Sequence, residues 1–121
     1  MRLFRIIYWG TTFVISALMV FSAVSYFVNP EIAEGFKHLG FPDYFRVELG
    51  IAKAIGALVI LIPSLPRPLK EWVYAGFGIT FLSAAIAHSQ SGDPISVVIA
   101  PLVVFGILVV SYVFYLKIQP S

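Results

Sequence analysis

Four long apolar stretches alternate with short polar ones along the 121 residues, over about 6–28, 44–62, 72–88 and 95–116. Each is close to the roughly 20 residues that a helix needs to cross a hydrocarbon core about 30 Å thick. The pattern predicts an all-α chain, an integral membrane antiparallel four-helix bundle forming one domain over 1–121. The breaks between the stretches carry turn chemistry. Asn29-Pro30 reads as a cap with proline at the first helical position, opening a short helix over 30–38 with Ile32, Phe36 and Leu39 on one face. Gly40 ends that helix, and Pro42-Asp43 restarts the chain. The run from Pro63 to Pro68 is a stiff connection that suits antiparallel neighbours. Asp93-Pro94 reads as a second cap, and Pro101 removes one backbone donor from the last stretch. Gly10, Thr12, Ser16 and Ala17 in the first stretch, and Gly76, Thr80 and Ala84 in the third, recur at the helical spacing that close packing in lipid uses.

The charged residues orient this arrangement. Arg2, Arg5, Arg67, Lys70 and Lys117 fall on one side, and the other side holds Lys37 with Glu31, Glu34, Asp43 and Asp93. The positive-inside rule then places both termini in the cytoplasm. Tyr8, Trp9, Trp72, Tyr74, Tyr112 and Tyr115 fall at the inner level, as an aromatic belt would. Ala23-Val24-Ser25 offers a signal-peptidase site, but the apolar run before it exceeds the about 7–15 residues of an h-region, so a retained span is expected.

Composition narrows the class. Hydrophobic residues make up 60% of the chain and charged residues 12%, against about 25% charged in soluble domains. The two net positive charges form no patch of the kind that binds nucleic acid. With no cysteine, disulfides, thiol relays and cysteine metal sites are excluded. No catalytic carboxylate pair, nucleophile–base arrangement or glycine-rich phosphate loop is present, so independent catalysis is not expected.

The second stretch breaks the apolar pattern with Arg46, Glu48 and Lys53. A charge at mid-bilayer costs at least about 2.5–3.5 kcal/mol, so these groups need partners or a polar cavity. Glu48 lies about 6 Å below Tyr44 and Lys53 about 13 Å, near the midplane. The two are about 140° apart around the helix and so do not pair on one face. His38 and Asp43 fall in the outer loop, and His88 and Gln90 at the outer end of the third span. The candidate ligand-binding residues are therefore His38, Arg46, Glu48, Lys53 and His88, gathered in the outer half of the bundle. The inner half offers no buried charge, and Asp93 is read as a cap alone. Arg46 sits near enough to the interface to meet a lipid phosphate instead. Two histidines of unknown separation are too weak a signal for haem or a metal.

Several motifs together resemble a known family. Leu39-Gly-Phe-Pro42 after His38, Leu49-Gly50 with Lys53 and Gly56, Leu69 to Phe77 (LKEWVYAGF), and Ala87-His88 before Gly92-Asp93 are similar to the DoxX-like proteins. The resemblance covers nearly the whole chain. It implies a small four-helix protein of a bacterial inner membrane, in a superfamily named from a subunit of a thiosulfate:quinone oxidoreductase. It further implies an accessory subunit, or a quinone- or lipid-binding component, of a membrane redox system, with an oxidoreductase or another membrane protein as partner. An assembly or chaperone role, a homo-oligomer, and a small transporter are the competing readings. The first span carries no charge, unlike the small multidrug exporters, which ranks transport last.

Overall fold

The computed structural model describes residues 2–63 and 65–118; Met1 of the leader and Ser64 of the connecting segment lie outside the described residues. It is all-helical, with no strand among those residues. The helices are α1 (Arg2–Val28), α2 (Pro30–His38), α3 (Asp43–Ile60), α4 (Arg67–Gln90) and α5 (Ile95–Ile118). Helix α2 begins as the sequence requires: the Asn29 side chain accepts from the Glu31 amide at 3.0 Å, and Pro30 fills the first position. Gly40 follows it with φ +86°, a conformation that glycine adopts without strain. Helix α5 continues through Pro101. Helix α4 starts at Arg67, five residues before the apolar stretch, because Pro66 and Pro68 pre-set the first turn and Lys70 and Glu71 are compatible with helix.

Helix α1 packs on α3 and α5, and α4 packs on α5 and, less extensively, on α3. The short α2 lies against α1 and α3. The shared core includes Tyr8, Ile15, Met19, Ile60, Phe77 and Leu108. At Gly56, an added Cβ would fall 2.7 Å from the Phe77 ring, so α3 approaches α4 closely only because that position has no side chain. Of the small residues on α1, Thr12 and Ser16 face inward while Gly10 and Ala17 are exposed.

The outer surface is apolar. Helices α1 and α5 are long and apolar enough to cross a membrane, and only 11% of the most apolar stretch of α5 is buried inside the protein. Phe13, Phe21, Ile79, Ile86 and Val103 stand exposed, a surface that lipid rather than water would solvate. Helices α3 and α4 carry Arg46, Glu48, Lys53, Lys70 and Glu71, and fall short of the same test.

The end of the molecule that holds the start of α4 corrects two expectations. Lys70, expected in a loop, is 1% exposed, so this half does contain a buried charge. Its Nζ donates to Tyr8 Oη at 2.8 Å and to the Ile60 carbonyl at 2.6 Å, with the Tyr8, Trp9 and Tyr115 rings within 5.9 Å. Tyr8, Tyr74 and Tyr115, expected in an interfacial belt, are buried in the core. The reason is the terminus of α3, whose last four carbonyls need partners. Ser16 Oγ serves Ala57, the Leu61 and Ile62 amides serve Leu58 and Val59, and Lys70 serves Ile60. A lysine at that carbonyl also suits the negative end of the helix dipole. Thr12, Ser111 and Tyr74 complete the cluster through two hydroxyl hydrogen bonds of 2.6 Å.

Lys70→Met is expected to cost about 1.5–3 kcal/mol near neutral pH, the scale of a hydrogen bond to a charged group. The loss should appear as a lower thermal midpoint, a comparison made by melting both proteins in one detergent at that pH.

Candidate functional site

The opposite half contains a cavity of about 750 Å³, walled by all five helices and by the segments beside α2 and α5. Met19, Phe36, Phe45 and Phe81 give it an apolar lining, broken by Tyr26, His38, Lys53, His88 and Asp93. Such a mix, mostly apolar with a few convergent polar groups, is the ordinary make-up of a small-molecule site.

Lys53 enters from the middle of α3 and is 7% exposed. Its Nζ donates to Ser22 Oγ at 3.0 Å and to Tyr26 Oη, and it lies 4.4 Å from the centre of the Tyr26 ring. Tyr26 is itself held edge-on to Phe36 of α2, with ring centres 4.9 Å apart. An ammonium has three N–H donors and two are engaged here, both by neutral hydroxyls. Among the described residues no carboxylate forms an ion pair with it.

His38 and His88 do meet, through Asp93. His38 Nε2 is 2.8 Å from one oxygen of the Asp93 carboxylate, and His88 Nδ1 is 2.6 Å from the other. This single carboxylate ties the end of α2 to the end of α4. The hydrogen bonds from His88 and then His38 hold the Asp93 pKa below the usual carboxylate range. Ionised, Asp93 only accepts, so the proton sits on Nε2 of His38 and on Nδ1 of His88. The second nitrogen of His88 remains available to the cavity. Asp93 is thus more than the cap read from the sequence; the backbone carbonyl of Pro94 accepts from Val97 and Val98 at the start of α5 instead. No group of three His, Cys, Asp or Glu is spaced to hold a metal ion among the described residues.

The other two candidates stand elsewhere. Arg46 donates from Nη1 to the Tyr26 carbonyl, in the last turn of α1, and its Nε lies 3.8 Å from Asp43. There it closes a helix C-terminus, as a cation does favourably. Glu48 is exposed on α3, lines neither this cavity nor the groove between α3 and α4, and makes no hydrogen bond or ion pair among the described residues. Gln90 is exposed at the end of α4. Sequence reading missed Ser22, Tyr26 and Asp93. The signal for Asp93 was its place after Ala87-His88 in the motif, and the signal for Ser22 and Tyr26 was their i, i+4 spacing on α1.

The profile of the DoxX-like family matches residues 10–111, and the chain belongs to that family. Family and apolar helices together define a small membrane protein. No curated protein and no solved structure matches it.

The Asp93 bridge gives a direct prediction. Asp93→Ala should raise amide hydrogen exchange across 30–38, whereas Asp43→Ala, whose only ion-pair partner among the described residues is Arg46 on its own helix, should leave that segment protected. A depressed carboxylate pKa means that the link is present above the unfolded value and is lost as pH falls through the lower folded one. Protection of α2 should therefore hold between about pH 5 and 7 and fall only in stronger acid.

Proposed function

We propose that the chain crosses a bacterial inner membrane as an antiparallel four-helix bundle with both termini cytoplasmic, and that its outer-half cavity binds a quinone-like amphiphile for a membrane redox system. The observation that carries this reading is Lys53. It is a buried ammonium with two neutral partners and one N–H to spare, set in the wall of an apolar cavity. A ring carbonyl is an acceptor that completes its coordination without adding a full buried charge, and the apolar walls take the ring. The ring of His88, fixed by Asp93, gives the same cavity a second hydrogen-bonding group. With no cysteine in the chain, electrons pass to and from the bound ring through an oxidoreductase partner rather than through thiols.

The test is titration of a short-chain benzoquinone into the protein in lipid nanodiscs, read by quenching of tryptophan fluorescence. Lys53→Ala should weaken binding by about tenfold or more, the loss of one hydrogen bond to a charged group. Glu48→Gln, on the same helix but outside the cavity, should bind as the unaltered protein does. Equal binding by Lys53→Ala would remove the assignment.

A further inference from the structure

A second hollow, of about 460 Å³, runs along the outside of the molecule between α3 and α4. Ala52, Ile55 and Val59 form one bank, and Trp72, Val73 and Gly76 form the other. Its base is the contact of Gly56 with Phe77. Leu49, Lys53 and Thr80 line both this groove and the inner cavity, so the two meet at the lysine. The opening follows from the packing, since α3 and α4 touch less extensively than the other long neighbours do.

We propose that the α3–α4 groove carries the apolar tail of the ligand whose head group lies beside Lys53. The inference rests on the binding role given above to the inner cavity. It narrows the ligand to an amphiphile with a hydrogen-bond-accepting head and a long hydrocarbon tail. A head group buried at Lys53 has to leave its tail somewhere, and the bilayer is the tail's own solvent. Lipid is as apolar as the groove, so the groove adds little hydrophobic gain; it supplies the passage through which head and tail are occupied together. The exposed side chains along it, Ile55 and Trp72 among them, are apolar, and its one charged member is Lys53 at the inner end.

Gly76 makes the test clean. A Cβ added there meets nothing within 4 Å, and the residue lines the groove but not the inner cavity. Gly76→Leu therefore fills the groove without disturbing the fold, and leucine favours helix more than glycine does. Ala52→Leu does the same from the α3 side. Both variants and the unaltered protein, in nanodiscs at one lipid concentration, are titrated with a tail-less benzoquinone, the same ring bearing a decyl tail, and a long-chain alkyl carboxylate. Equal lipid makes partitioning of the tail common to all samples. The expected result is that the tail-less ring binds all three proteins alike, while the decyl ring binds the two variants about tenfold or more weakly, the cost of overfilling a packed site. A parallel loss for the alkyl carboxylate would show that the groove accepts tails from acyl lipids too; a loss confined to the ring would assign it to tailed quinones. Undiminished binding of every tailed probe by both variants overturns the groove assignment and leaves the cavity reading standing. Failure of the unaltered protein to bind any probe overturns both.

Discussion

Two helices of this protein end against their neighbours, and a basic side chain from another helix closes each end. Arg46 of α3 reaches the Tyr26 carbonyl of α1, and Lys70 of α4 reaches the Ile60 carbonyl of α3. In a chain whose outer surface is hydrocarbon, a carbonyl left open inside has no water to turn to, so such closures decide how the helices sit. The Lys70 closure draws Tyr8, Trp9 and Tyr115 around it and fixes one half of the molecule as solid core. The other half closes differently. There the ends of α2 and α4 are joined by Asp93 through two histidines, and the space beneath that joint stays open as the cavity.

The contrast between the two buried lysines follows from their partners. Lys70 has a backbone carbonyl, a phenol and three aromatic faces, and nothing about it calls for a ligand. Lys53 has two hydroxyls and one ring, and faces the cavity wall where the groove begins. The same residue type is thus a structural closure at one end and the strongest candidate for ligand recognition at the other. Burial does not separate the two roles, and neither does the count of engaged N–H groups, which is two for each; the surroundings do, since three aromatic faces close around Lys70 while Lys53 borders the open cavity.

Much of the fold was legible in the sequence because it is local. The Asn29-Pro30 start, the short helix over 30–38 and the turn at Gly40 follow from the residues that occupy them. Helix α4 began earlier than hydropathy showed, since hydropathy measures affinity for lipid and not for helix; Arg67 to Glu71 are polar yet helical. The site was only partly legible. Lys53 and the two histidines were marked by being polar in apolar surroundings, but Ser22 and Tyr26, which hold Lys53, look like ordinary members of a span. Asp93 reads as a cap because Pro94 follows it, and only the return of α2 over the end of α4 shows that its carboxylate serves two histidines instead. Glu48 shows the limit from the other side: the depth of a residue in a helix can be counted from sequence, whereas the face it presents depends on which neighbours the helix finds.

Recognition of an amphiphile by Lys53, in the cavity beneath the Asp93 joint, is what the functional proposal stands on. Its most direct test is native mass spectrometry of the protein released gently from its own membranes, with Lys53→Ala prepared in parallel. The account predicts one small lipophilic molecule retained per chain by the unaltered protein and lost from the variant. A bare chain in both samples, or the same adduct on both, would contradict it.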